Sequence, residues 1–157
     1  MSENESPELA GLREEIDEVE RTTVRTVELG MRGLVIAIAV FVLLVGEILP
    51  WMDGANGLQV LVGQGGATGK ASMVPRLFAG ASLTFGVLAS ALALMTRRWR
   101  LTWVCALGGW FATVTGVLAI WSRQSGGGQG PGIGLIIAVV ATVTIAVLWF
   151  RTAWSRS

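Results

Sequence analysis

The stretch Arg97-Arg98-Trp99-Arg100 lies between two long apolar runs and decides how this chain folds. Neither run, Leu77 to Thr96 before it nor Leu101 to Ser122 after it, contains a charged residue. A helix needs about 20 apolar residues to cross the hydrocarbon core of a bilayer. Because short arginine-rich turns stay on the cytoplasmic side, the sequence predicts a transmembrane hairpin with a cytoplasmic turn.

The composition is typical of a membrane protein. Of the 157 residues, 52% are hydrophobic, and the mean hydropathy is +0.62. The net charge of +1 hides an asymmetry, since residues 1–20 hold eight acidic residues and one basic residue. The other basic residues mark helix ends and form no continuous patch, so we expect no nucleic-acid binding.

Counting outward from the hairpin predicts four membrane spans, at about residues 33–51, 77–96, 101–121 and 132–150. The predicted fold class is all-α: a four-span transmembrane helical bundle with an N-terminal amphipathic cytoplasmic helix.

Two domains follow from this arrangement. Residues 1–30 form an acidic cytoplasmic helical arm, and residues 31–157 form the transmembrane domain. A Gly-rich extracytoplasmic loop at 52–74 joins the first two spans, and within it residues 58–62 suit either a short strand or a loop packed on the helix ends.

The basic residues predict the orientation. With the N-terminus inside, nine basic residues are cytoplasmic and three are outside, which predicts a multi-pass protein of the bacterial plasma membrane with both termini cytoplasmic. The inside set is Arg13, Arg21, Arg25, Arg32, Arg97, Arg98, Arg100, Arg151 and Arg156, and the outside set is Lys70, Arg76 and Arg123.

The arm carries a narrow apolar seam at helical spacing, formed by Leu9, Leu12, Ile16 and Val19. The seam is too short for a self-sufficient coiled coil. Two interpretations remain open: a solvated tail, or a docking arm whose seam packs on a partner.

Small residues recur every fourth position in three of the spans, which allows helix backbones to approach closely in lipid. Some strips are expected to pack helices within the chain and others to face a partner. The predicted packing residues are Ser82, Gly86, Ser90, Gly108, Ala112, Gly116, Gly134 and Ala138.

Glu47 is the only acidic residue in any predicted span. An ionisable residue in a membrane is a candidate functional site, but Glu47 lies only three residues before Pro50, near the outer interface. We expect Glu47 to pair with Arg76 or to be hydrated. A role in binding a proton or cation is the alternative.

The sequence offers no catalytic, cofactor-binding or metal-binding set. It has one cysteine, Cys105, and no histidine, and no nucleophile–base pair or paired carboxylates can be assembled. Histidine is a common ligand of haem and copper. The chain is therefore expected to bind no cofactor and not to be an enzyme by itself.

Three segments carry a resemblance to a known class: Val74-Pro75-Arg76-Leu77-Phe78-Ala79, Thr96-Arg97-Arg98-Trp99 and Ala119-Ile120-Trp121-Ser122-Arg123-Gln124. With the four-span layout, they resemble accessory subunits of the actinobacterial, in particular mycobacterial, cytochrome bcc–aa3 respiratory supercomplex. The resemblance implies a non-catalytic subunit that stabilises a complex of the respiratory electron-transport chain. It also implies other integral membrane subunits as partners, with haem and copper held by them, and phospholipid around the bundle.

Two alternatives stay open. Small multidrug-resistance transporters also have four short spans and an essential acidic residue in the first, but Glu47 is near the outer end and the loops are longer. A scaffold for cell-envelope machinery would share every feature of the accessory subunit and differ only in its partner.

Overall fold

The computed structural model describes residues 7–65, 73–126 and 130–155, except for the side chains of residues 24–29. Lys70 and Arg156, the side chain of Arg25 and the part of the predicted outer loop at 66–72 lie outside this description. The described chain is mostly helical.

The elements follow one another as helices interrupted by one small hairpin. In chain order they are α1 (Pro7–Ile48), β1 (Pro50–Met52), β2 (Ala55–Asn56), α2 (Gly57–Leu61), α3 (Met73–Ala81), a π-helix π1 (Ser82–Leu88), α4 (Ala89–Thr96), α5 (Trp99–Ser125) and α6 (Ile133–Ser155). β1 and β2 pair antiparallel, with Pro50 opposite Asn56.

Four helical segments in the described chain are long and apolar enough to cross a membrane, judged by length and composition: Gly30–Ile48, Met73–Thr96, Trp99–Ser125 and Ile133–Ser155. The arginine cluster lies at the turn between α4 and α5. Arg97 ends α4 with a left-handed backbone (φ 51°), and its N–H donates to the carbonyl of Ala93. A left-handed residue is a common way to end a helix.

Two local structures differ from the sequence prediction. The arm and the first apolar run lie in one helix, α1, because no proline interrupts them and single glycines are tolerated in a helix. Residues 57–61 form a helix rather than a strand or loop. The cause is a capping box: the Asn56 side chain accepts from the Gln59 N–H at 2.9 Å, and the Gln59 side chain accepts from the Asn56 N–H at 3.0 Å.

The chain divides into two units, one ending at Val35 and the other beginning at Ile36. In the second unit, small residues occupy much of the interior and large apolar residues cover the outside. Ala112, Ala119, Ala138 and Ala146 are fully buried, whereas exposed positions include Phe41, Leu107 and Val114. A few large side chains fill the remaining space, including Trp51, Phe78, Leu135 and Ile145.

Candidate functional site

The most distinctive polar site surrounds Glu47, whose side chain is only 1% exposed. Ser82, the first residue of π1, places its Oγ 2.7 Å from Glu47 Oε1 and 3.1 Å from the carbonyl oxygen of Ala79. The second carboxyl oxygen, Oε2, is buried and has no hydrogen-bond partner among the described residues. π-helical segments within α-helices are frequent at functional sites.

Trp51 and Gly57 close the site. The Trp51 ring stacks on Phe78 with 5.3 Å between ring centroids, and its Nε1 donates to the carbonyl of Gly46 at 2.8 Å. Gly57 begins α2 beside the carboxyl group, where an added Cβ would collide with Glu47 Oε2 and would lie 2.8 Å from the Trp51 ring. We call Glu47, Trp51, Gly57 and Ser82 the Glu47 site.

The structure places the partners of Glu47 differently from the expectation. Ser82, rather than Arg76, contacts the carboxyl group, and burial leaves little room for the expected hydration. The guanidinium of Arg76 lies beside Gly63, where an added Cβ would be 3.4 Å from Arg76 Cζ. The sequence could not show this pairing, because Glu47 and Ser82 are 35 residues apart and Ser82 was interpreted only as a small packing residue.

The small-residue strips are covered within the chain. Gly86 lies against Leu43, Gly108 against Phe85, and Gly116 against Phe78 and Val139. Gly134 lies against Leu49, and Ala138 against Gly46. Ser82, Ser90 and Ala112 are fully buried. Helices of this chain therefore use these strips to approach one another.

Ser90 also makes a polar contact that the spacing did not reveal. Its Oγ accepts a hydrogen bond from Trp149 Nε1 at 2.9 Å, which joins α4 to α6. Trp110, an aromatic residue inside a span, makes an edge-to-face contact with Phe150, 6.5 Å between centroids.

The apolar seam of the arm belongs to the first unit and is open. Leu9, Leu12, Ile16 and Val19 are 50–65% exposed. Glu15 and Glu20 border the seam together with its apolar residues. Nothing in the described first unit covers this surface.

The described residues contain no group of three or more His, Cys, Asp or Glu side chains that could hold a metal ion. Cys105 is a buried free thiol in α5. Near the hairpin, Asp53 and Arg123 form an ion pair at 3.6 Å between Oδ2 and Nη2.

These observations define the class: a small helical bundle with an apolar exterior and one buried carboxyl group. Comparison with known protein families identifies the family to which the chain belongs. The chain belongs to the family described as the MiaB C-terminal domain, which matches residues 13–157.

A curated relative extends this assignment. The chain is 43% identical, over 157 residues, to a tRNA-2-methylthio-N(6)-dimethylallyladenosine synthase of Mycobacterium avium (strain 104). The match covers 98% of this chain but 22% of the relative, so the chain spans about a fifth of the relative's length. No solved structure matches the chain.

This assignment overturns the predicted identity and function. The resemblance to a cytochrome bcc–aa3 accessory subunit was wrong, as was the placement in respiratory electron transport, because the chain belongs to the MiaB C-terminal domain family and its relative is named as a tRNA-2-methylthio-N(6)-dimethylallyladenosine synthase. The transporter and cell-envelope scaffold alternatives lose their support for the same reason. The predicted identity rested on four apolar runs with arginine residues at the helix ends. Unrelated membrane proteins share these features, so they do not identify a family.

The prediction that the chain is not an enzyme by itself, but at most part of an oxidoreductase complex, was also wrong, because the chain matches 22% of a relative that is named as a synthase. The predicted localisation, a multi-pass plasma-membrane protein with both termini cytoplasmic, was wrong as a placement of the protein, since the relative's name describes an enzyme acting on tRNA. By length and composition the four apolar helices could still contact lipid, which is a separate matter from that placement. The length and composition of the chain predict its helices, and the basic residues predict only the distribution of charge. None of these properties could reveal the similarity to the synthase.

The cofactor prediction placed haem and copper in partner subunits, and it was wrong. The family implies iron–sulfur clusters and S-adenosylmethionine instead. Iron–sulfur clusters are held by cysteine thiolates, ordinarily four. The chain has one cysteine and no histidine, so its own side chains do not fit such a cluster.

Proposed function

We propose that this chain is the C-terminal helical bundle of a tRNA-modifying methylthiotransferase, and that its apolar helices embed in a lipid bilayer. In this arrangement the bundle holds the tRNA-modifying part of the enzyme beside the membrane. The 43% identity to the synthase along almost the whole chain carries the enzymatic half of the proposal. The match leaves most of the relative outside the bundle, and we assign tRNA binding and methylthio transfer to that part.

The distribution of side chains supports the bilayer. A soluble monomer rarely exposes apolar patches larger than a few hundred Å². Here large apolar side chains on all four apolar helices are exposed, with Phe41, Leu92, Leu107 and Val140 as one example from each. Small residues at the buried positions are typical of helices that pack in lipid. Phospholipid is therefore the proposed surrounding of the bundle.

The arm supplies a docking surface for the tRNA-modifying part. Its seam places Leu9 and Ile16 at one heptad position and Leu12 and Val19 at another, which puts Glu15 and Glu20 on the two flanks. In a parallel pair of identical arms these glutamates would face each other, and like charges repel. The proposed occupant is an amphipathic helix of the tRNA-modifying part with basic residues on its flanks.

The test removes the chain in a bacterium that carries it and follows two quantities. We expect the methylthiotransferase to shift from the membrane fraction to the soluble fraction. We also expect the 2-methylthio-N6-dimethylallyladenosine content of tRNA, measured by mass spectrometry, to fall. Restoring the chain should reverse both changes. An unchanged nucleoside content together with an unchanged enzyme distribution would contradict the proposal.

A further inference from the structure

We propose that Glu47 is a proton-binding site, in which the carboxyl group holds a proton and donates it in a hydrogen bond to Ser82 Oγ. The proposal concerns the bundle itself and does not depend on the tRNA-modifying activity. Its ligand is a single proton, bound between the end of α1 and the start of π1.

The hydrogen atoms available around Ser82 Oγ favour a protonated Glu47. Ser82 Oγ lies within hydrogen-bond distance of two acceptors, Glu47 Oε1 at 2.7 Å and the Ala79 carbonyl at 3.1 Å. A serine hydroxyl has one hydrogen to donate, so an ionised Glu47 would leave one acceptor without it. A protonated Glu47 donates to Ser82 Oγ, which then donates to Ala79. Both contacts become hydrogen bonds.

The surroundings of Glu47 Oε2 also favour the protonated carboxyl group. This oxygen is buried without a hydrogen-bond partner among the described residues. An unpaired buried charge is far more costly than an unpaired neutral carbonyl oxygen. Protonation on Oε1 makes Oε2 such a carbonyl oxygen, which removes the charge from a site where none of the described residues supplies a counter-ion.

The surroundings favour a proton over a metal ion. Gly57 and the Trp51 ring approach so closely that a Cβ at Gly57 has no room beside Oε2. Calcium takes six to eight oxygen ligands and magnesium about six, some of them waters, and the described residues contain no cluster of metal-binding side chains. A proton needs no such space.

The charged groups of the neighbouring elements have other contacts. Asp53, in the hairpin, pairs with Arg123 at the end of α5. Arg76 of α3 lies beside Gly63. No charged residue occurs in α2, π1 or α4, or in the described part of α6 before Arg151. Loss of the proton would therefore leave an unpaired anion against Trp51 and Gly57, and we expect α2 to separate from the end of α1.

Infrared spectroscopy tests the proposal directly. The full chain is reconstituted in phosphatidylcholine vesicles, and its spectrum is compared with that of Glu47→Gln at neutral pH. We expect the carbonyl stretch of a protonated carboxyl group in the native chain and its complete loss in Glu47→Gln. Asp53→Asn is the matched control and should keep the band. A carboxylate signal that is lost in Glu47→Gln, without a protonated band, would overturn the proposal.

Ser82→Ala tests the hydrogen bond. Removing the Ser82 hydroxyl should leave Glu47 protonated, so the carbonyl stretch of its carboxyl group should remain. This band should move to a higher frequency, because the carboxyl O–H no longer donates a hydrogen bond to Ser82. An unshifted band would overturn the assigned donation to Ser82.

Chemical labelling of the native chain needs no variant that could fail to fold. Dicyclohexylcarbodiimide adds the O–H of a protonated carboxyl group across one of its C=N bonds. The carboxyl oxygen bonds to carbon, the proton moves to nitrogen, and the adduct rearranges to a stable N-acylurea. We expect Glu47 to be labelled at neutral pH and labelling to decline as the pH rises. Labelling of Glu47 that stays constant or increases as the pH rises would overturn the proposal.

Discussion

Ser90 and Trp149 show how a single buried hydrogen bond stabilises this bundle. The two residues are 59 positions apart and join α4 to α6 through a 2.9 Å contact. The four-residue spacing identified Ser90 as a small packing residue, but no local signal identified Trp149 as its partner.

We expect Ser90→Ala to lower the free energy of unfolding by about 1–3 kcal/mol, because the buried Trp149 N–H loses its acceptor. Thr144→Ala is the control, since the Thr144 hydroxyl is exposed and bonds only within its own helix. Unfolding of both variants in detergent micelles measures the difference. Equal stability of the two would show that the indole N–H finds another acceptor.

Gly108 tests how tightly the helices approach. An added Cβ there would overlap the Phe85 ring, so we expect Gly108→Ala to destabilise the bundle by about 1–3 kcal/mol. Gly11 has nothing within 4 Å of an added Cβ, and Gly11→Ala should be neutral or slightly stabilising because alanine favours helix. Thermal unfolding of the two variants compares them, and a stabilised Gly108→Ala would be contrary to this expectation.

Among the helices and strands, the length of the apolar runs predicted the number and approximate position of the apolar helices. Their ends were less predictable because the ends depend on caps and contacts. The capping box of Asn56 and Gln59 could have indicated α2, but the adjacent Asn-Gly dipeptide was interpreted as a turn. π1 has no sequence signal of its own here.

The acidic flanks of the arm's seam can be tested by reversing their charge. Replacing both Glu15 and Glu20 with lysine should weaken binding of the arm to the tRNA-modifying part, because the charges bordering the seam would then repel its basic flanks. The loss should be largest at low salt, where charge interactions are least screened. Pull-down of the separately produced tRNA-modifying part by the tagged chain, over a range of salt concentrations, measures the effect.

The matched control replaces Glu14 and Glu18 with lysine. These residues carry the same charge on the same helix but do not border the seam. Equal losses in the two double variants would indicate a general charge effect rather than docking along the seam.

For the whole molecule, the exterior decides whether lipid or water surrounds the bundle. Val114, in the middle of α5, is 56% exposed. An arginine at the centre of a membrane helix costs about 2.5–3.5 kcal/mol on insertion scales, so Val114→Arg should reduce the fraction retained in membranes after alkaline carbonate extraction. Val114→Leu should be retained normally. Increased solubility of Val114→Arg with unchanged stability would instead indicate a bundle that water surrounds.

Function was the least predictable property of the whole molecule. The chain carries no catalytic motif, and its match covers only 22% of the synthase to which it is related. Charge and hydropathy indicate the environment of a helix but not the protein to which the helix belongs. Family membership therefore required comparison, whereas the buried Glu47 could be singled out from its position in an apolar run.

The small interior and large apolar exterior also determine which substitutions the chain can accept. Alanine and glycine positions such as Ala112 and Gly116 can accept no larger side chain, although a larger apolar residue is often harmless elsewhere. Outer positions such as Phe41 and Leu107 can exchange one apolar residue for another with little effect. A saturation-mutagenesis map of the bundle would thus separate into positions limited by volume and positions limited by polarity, and the boundary between them would trace each helix face.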